Sequence, residues 1–122
     1  MSVQITIDEA QKVVIVTFAG EIGDADLMGI GTATLAHPQF NSSFSEIVDF
    51  SAVTGGNVST FALQSVAPRP SIYDHASKHI AVAPQPHVFG LGRMFQVFAQ
   101  ETRPNMKVVH SMKEARDSLG CQ

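Results

Sequence analysis

The sequence has few charged residues and no cluster of positive ones. Its 8 lysines and arginines are scattered among 11 acidic residues, which gives a formal net charge of −3. Nucleic-acid-binding proteins present concentrated Lys and Arg side chains, so we expect no nucleic-acid partner. No apolar run approaches the roughly 20 residues that a membrane-spanning helix needs, so we expect no membrane span.

Cysteines and export signals are scarce as well. The single cysteine, Cys121, has no second cysteine with which to form an internal disulfide. The first residues lack the basic segment and apolar run of a signal peptide. A sequence without disulfide pairs or an export signal is typical of the cytoplasm, and we expect a cytoplasmic protein.

Catalytic and metal-binding motifs are missing. The sequence has no Gly-x-Ser-x-Gly nucleophile turn, and Cys121 has no basic neighbourhood to activate its thiol. His75, His79 and His87 with Asp74 could suggest a metal site, but His75 falls in a predicted loop and His79 in a predicted strand, so the helical i, i+4 geometry of zinc ligands is not formed. We therefore predict no metal, no cofactor and no enzymatic activity.

The most informative stretch is the apolar segment at residues 44–53. Ile47 and Val48 are apolar in succession, which covers both faces of an extended segment. This pattern is typical of a central strand in a mostly parallel sheet. The polar, Gly-rich residues 54–57 follow and predict a turn into a helix. Ligands and partners of open α/β sheets gather at the carboxyl ends of such strands.

The remaining segments alternate between strand and helix patterns. Residues 3–7 and 12–18 predict two strands joined by a short link, which must be antiparallel neighbours. A single α/β domain, residues 1–122, follows: a mixed sheet of about five strands with about four helices. The other predicted elements are a helix at 24–37 capped by Asp24, a helix capped by Asn57 and ended by Pro68, a loop at 68–76, a strand at 78–83, a helix at 86–103, a strand at 106–110, and a terminal helix opened by the capping box at 111–114.

Glycines in two of the predicted helices have two interpretations each. Gly31 lies on the apolar stripe of its helix, and close packing against the sheet is favoured over a ligand contact. Gly90 and Gly92, followed by Arg93, resemble a phosphate cradle but lack its third glycine. Close approach of the helix to its neighbours is the favoured interpretation, and an anion or ligand contact at these three residues is the alternative.

The element order and several phrases of the sequence resemble the STAS domains, the anti-sigma-factor antagonists and their relatives. The resemblance implies a non-enzymatic regulatory or protein-interaction module, with an anti-sigma factor or a kinase-like regulator as its protein partner. It extends more specifically to a branch of small bacterial STAS-like proteins. The phrases are His37-Pro38-Gln39-Phe40, Val48-Asp49-Phe50-Ser51-Ala52-Val53-Thr54 and Phe89-Gly90-Leu91-Gly92-Arg93-Met94-Phe95.

The resemblance also indicates where a switch would lie. In the antagonists, a serine at the start of the helix after the third strand is phosphorylated. The matching Asp-Ser pair falls on Asn57-Val58, so a valine occupies the acceptor position. The switch or interaction candidates are Asp49, Thr54, Asn57, Ser59 and Thr60.

Each of these candidates also has a structural interpretation. Ser59 and Thr60 are then exposed polar residues of a helix start, and Asp49 accepts hydrogen bonds from the backbone of the next turn or from the loop of a neighbouring strand. Because a helix start favours negative charge, we expect Ser59→Asp to leave the stability nearly unchanged.

The helix predicted at 86–103 has a wider apolar arc than a one-sided amphipathic helix needs. Phe89 and Val97 fall at the margins of its main stripe, so we expect at least one of them to remain available for self-association as a homodimer. The alternative function is binding of a lipid or other apolar ligand between the helices and the sheet. A deep apolar pocket would favour a ligand, whereas a flat exposed apolar face would favour a protein partner.

Overall fold

The computed structural model describes residues 2–120 and confirms the predicted α/β architecture. Five strands form one sheet in the order β1-β2-β3-β4-β5, in which β1 and β2 are antiparallel and the other neighbours are parallel. The elements are β1 Ser2–Asp8, β2 Val13–Gly23, α1 Asp24–Leu35, β3 Ser45–Asn57, α2 Thr60–Val66, β4 His79–Val82, α3 Pro86–Phe98, β5 Met106–Val109 and α4 Met112–Leu119. Cys121 lies outside the described residues.

The central strand β3 is longer than the sequence predicts. The prediction of a turn at residues 54–57 is wrong, because these residues belong to the strand. β2 and β3 continue side by side to their ends, where Ile22 pairs with Gly56 and Gly23 with Asn57. Gly56 has φ +120°, and a Cβ there would collide with the backbone of Ile22. The glycine therefore permits a close strand pairing that its sequence neighbours do not reveal.

The helix starts also differ from those predicted. Gly23, rather than Asp24, occupies the N-cap of α1. Ser59, rather than Asn57, caps α2, and its hydroxyl accepts a hydrogen bond from the backbone N–H of Ala62. α1 thus begins one residue earlier than predicted, whereas α2 begins two residues later because β3 extends to Asn57.

The later elements follow the predictions more closely. α3 begins with Pro86, as expected, but ends at Phe98, several residues before the predicted end. The predicted cap of α4 at Ser111 is confirmed, because its hydroxyl accepts a hydrogen bond from the backbone N–H of Glu114. Among residues 2–120, no helix is both long and apolar enough to cross a bilayer.

The two faces of the sheet are packed differently. On one face, Ile47 and Val82 are buried with Ala115 of α4 in a small apolar cluster. On the other face, Leu27 and Ile30 of α1 pack against a larger cluster that includes Phe18. This second face, which α1, α2 and α3 cover, carries the candidate site.

Candidate functional site

A cavity of about 500 Å³ lies between the sheet and the helices α1, α2 and α3. The strands contribute aromatic and branched residues from the middle of the sheet, and the helices contribute the side chains that face them. Most of the wall is apolar, so the cavity suits an apolar guest better than water. Representative wall residues are Phe18, Phe50, Leu63, Val66, Leu91 and Phe95.

Three glycines show how open the helix side of this cavity is. Gly31 lines the cavity, and a Cβ placed on it would meet no atom within 4 Å. Close packing is therefore the wrong interpretation of Gly31, which faces open space instead. A Cβ on Gly92 would lie 3.1 Å from Cγ1 of Val108, so the predicted close approach is confirmed there. The same prediction of close approach is wrong for Gly90, where a Cβ would meet nothing within 4 Å.

A polar cluster lines the cavity at the amino-terminal end of the parallel strands. The carboxylate of Glu46 accepts hydrogen bonds from the hydroxyl of Tyr73, at 3.1 Å, and from Nδ1–H of His79, also at 3.1 Å. Tyr73 and His79 are buried, and their rings meet edge to face. Burial, together with the adjacent Glu46 carboxylate, raises the pKa of Tyr73 far above its usual value. Tyr73 therefore remains a neutral hydrogen-bond donor.

An arginine lies close to this cluster and also lines the cavity. The guanidinium of Arg103 lies over the ring of Phe95, with its Cζ 5.5 Å from the ring centre. Its Nη1 donates hydrogen bonds to the carbonyl oxygen of Ala67, at 3.3 Å, and to Oγ1 of Thr102, at 3.0 Å. Burial lowers the pKa of Arg103, and the charge of Glu46 opposes that shift. These contacts fix the plane of the guanidinium at one end of the cavity.

Glu46, Tyr73 and Arg103 were not singled out in the sequence, although the first two leave a signal there. Glu46 is a charged residue directly before the apolar pair of the central strand, and Tyr73 is the single tyrosine of the chain. A buried carboxylate needs hydrogen-bonding partners, but the sequence does not show that Tyr73 and His79 supply them.

Ser59 forms a hydrogen-bonded link between the starts of α1 and α2. Its backbone N–H donates to Oδ1 of Asp24 at 2.8 Å, and its hydroxyl donates to Oδ2 at 2.7 Å. The hydroxyl bond first, and then the backbone bond, lower the pKa of Asp24. A carboxylate in place of Ser59 would face the carboxylate of Asp24. The geometry thus reverses the expectation that Ser59→Asp leaves stability unchanged.

The remaining residues singled out in the sequence do not form one site. Oδ1 of Asp49 accepts a hydrogen bond from the backbone N–H of Ser51 at 2.9 Å, which agrees with its structural interpretation. Thr54 and Gly92 line the cavity. The other candidates lie outside its lining, and four of them are exposed on the surface: Asn57, Thr60, Gly90 and Arg93.

The histidines are dispersed. His75 and His87 are exposed, whereas His79 is buried against Glu46. Within residues 2–120, no group of three His, Cys, Asp or Glu side chains is arranged to hold a metal ion.

Comparison with known proteins leaves the family of the chain open. No family model matches the sequence, and no curated protein matches it. The resemblance to STAS domains therefore remains a hypothesis that depends on element order and short phrases, and the cavity is the feature from which a function can be argued.

Proposed function

We propose that this protein binds a small, largely apolar molecule in the cavity beneath α1, α2 and α3, and that it does not chemically convert this molecule. The observation that carries the proposal is the cavity itself. Its volume of about 500 Å³ falls within the range of roughly 300–1,000 Å³ that is usual for small-molecule sites. Its mostly apolar wall with a few convergent polar groups also has the composition of such sites.

Packing supports the same proposal. Protein interiors are close-packed, and voids larger than a water molecule are few. The wall of this open apolar space faces water and lacks the close contacts with protein atoms that a packed interior has. A guest that fills it restores those contacts and removes its own apolar surface from water. Binding should therefore be favourable and should stabilise the folded protein.

A series of straight-chain alcohols from butanol to dodecanol tests the proposal by isothermal titration calorimetry. Each methylene group that becomes buried should add about 0.8 kcal/mol to the binding free energy. The affinity should rise with chain length and level off when the cavity is full. Absence of saturable binding across the series, or affinity that does not depend on chain length, would contradict the proposal.

A second candidate function is a STAS-like regulatory module in the bacterial cytoplasm, as the sequence resemblance implies. Exposed apolar side chains on the outer surface of the helices favour it: Phe61 of α2 is 73% exposed, and Val97 of α3 is 62% exposed. Contiguous exposed apolar patches mark protein-interaction sites, and the helices that carry these two side chains contact each other. The partner would be an anti-sigma factor, a kinase-like regulator or a second copy of the chain.

Affinity capture tests this candidate with a matched pair of proteins. The wild type should recover a partner protein from a bacterial extract, and Phe61→Ser should recover less of it. Equal recovery by the two would argue against this surface.

A further inference from the structure

We infer that the ligand of the cavity is an apolar carboxylic acid whose carboxylate is held by Arg103. The inference rests on the proposed function and specifies its ligand class. It places the carboxylate at the end of the cavity where Glu46 and Tyr73 lie, and the apolar chain along the wall formed by the sheet and the three helices.

The hydrogen bonds of Arg103 leave one edge of its guanidinium available. All its side-chain bonds to residues 2–120 are donated by Nη1, to the carbonyl oxygens of Ala67 and Arg69 and to Oγ1 of Thr102. No described residue accepts from Nε or Nη2. These two nitrogens form the edge that donates two parallel hydrogen bonds to a carboxylate.

The surroundings of Arg103 orient this edge before a ligand arrives. Phe95 lies under the guanidinium plane, and the bonds of Nη1 to the segment after α2 hold the opposite edge. A pre-oriented fork loses less conformational entropy on binding than a free side chain does. Arg103 is therefore arranged as an anchor for a planar anion.

The charges around the cavity favour a negatively charged guest. Arg69 and Arg103 both line it, and arginine stays protonated in proteins. The one carboxylate in the lining is Glu46, and each of its oxygens already accepts a hydrogen bond, one from Tyr73 and one from His79. With an uncharged guest, only Nη1 of the half-buried guanidinium would have acceptors among residues 2–120, and Nε and Nη2 would have none.

The same cluster favours one negative charge over two. The fixed charge of Glu46 lies at the same end of the cavity and penalises each further negative charge nearby. A phosphate monoester would bring about 1.5 to 2 charges, whereas a carboxylate brings one and matches the planar guanidinium. Carboxylate is therefore the favoured head group.

The test compares dodecanoate, dodecanol and dodecyl phosphate by calorimetry at one salt concentration, with the two anions below their micelle concentrations and dodecanol below its solubility limit. We expect the wild type to bind dodecanoate at least about tenfold more tightly than dodecanol. Arg103→Gln should remove that advantage and leave the affinity for dodecanol unchanged. The matched control is Arg93→Gln, which removes an exposed arginine of α3 outside the cavity lining and should change neither affinity.

The possible results separate the inference from the proposed function. If dodecanol binds as tightly as dodecanoate, or if Arg103→Gln weakens both equally, the carboxylate inference is wrong and the cavity proposal stands. If dodecyl phosphate binds most tightly, the argument for a single charge is overturned. If none of the three binds, both proposals fail.

A second variant covers the case in which Arg103→Gln does not fold. Arg103→Lys keeps the charge but removes the planar fork, and it should bind dodecanoate more weakly than the wild type does while dodecanol binding is unchanged. Unaltered dodecanoate binding by Arg103→Lys would exclude the two-pronged contact.

Discussion

Alanine at two glycines of the cavity wall should change the stability in opposite directions. Gly31 lies inside α1 and Gly92 inside α3, and both line the cavity. A Cβ on Gly31 would meet nothing within 4 Å, whereas a Cβ on Gly92 would lie 3.1 Å from Val108. The same substitution thus tests open space at one position and close packing at the other.

The expected magnitudes follow from these distances. Replacing glycine by alanine inside a helix stabilises by about 0.5–1 kcal/mol. Gly31→Ala should show this gain in full, because nothing opposes the new methyl group. At Gly92 the methyl group overpacks the contact with Val108, and overpacking costs about 1–3 kcal/mol. We expect Gly92→Ala to lower the free energy of unfolding by on the order of 1 kcal/mol.

Urea unfolding of the two variants measures both effects from the shift of the midpoint at constant slope. Gly29→Ala is the reference for helix propensity alone, because Gly29 is exposed in the same helix as Gly31 and outside the cavity lining. A destabilised Gly31→Ala would show that the space beside Gly31 is filled by protein. Equal shifts for Gly31→Ala and Gly92→Ala would refute the described cavity wall.

Three further predictions concern hydrogen bonds, and a fourth concerns one exposed residue. Ser59→Asp should melt at a lower temperature than Ser59→Ala, because it places a second carboxylate against Asp24. Adding Asp24→Asn to Ser59→Asp should recover part of the loss. Equal melting temperatures for Ser59→Asp and Ser59→Ala would contradict this prediction. The hydrogen bonds from Ser59 lower the pKa of Asp24 from 3.8. Their contribution to stability is therefore present above pH 3.8 and is lost as the pH falls further. In acid unfolding, Ser59→Ala should lose less stability over this pH range than the wild type does. Because the pKa of Tyr73 is raised, its contribution to stability is present below pH about 10 and is lost as the pH rises further. The free energy of unfolding in urea should therefore fall less steeply at alkaline pH in Tyr73→Phe than in the wild type. An equally steep fall in both proteins would count against the buried hydroxyl. If the exposed Val97 mediates self-association, Val97→Asp should sediment as a monomer at concentrations where the wild type dimerises, and a wild type that remains monomeric would remove this surface from consideration.

The architecture could be predicted because its signals are local. The apolar pair Ile47-Val48 identifies a strand that is covered on both faces, and the short link before Lys12 requires an antiparallel hairpin. The end of β3 could not be predicted, because it depends on a non-local contact. Gly56 belongs to the strand since its backbone pairs with Ile22, and the local pattern of small polar residues around it is equally typical of a turn.

The candidate site depends on non-local contacts to a greater extent. Glu46 and Tyr73 are 27 residues apart in the sequence, and Glu46 and His79 are 33 apart. Only the packing of the strand starts against the intervening loop brings them together. The surroundings of Gly31 could not be predicted for the same reason. A glycine on the apolar stripe of a helix is compatible with close packing and with open space, and the position of the sheet decides between them.

The most direct test of the ligand-binding account is to block the cavity from within. Calorimetry with dodecanoate should show one binding site in the wild type, no detectable binding in Gly31→Phe, whose ring would occupy the cavity, and unchanged binding in Gly29→Phe, whose ring would remain outside. Ligand at about 100 times its dissociation constant should also raise the unfolding free energy of the wild type by about 2.7 kcal/mol. Undiminished binding by a correctly folded Gly31→Phe would contradict the account, because the ligand would then bind elsewhere.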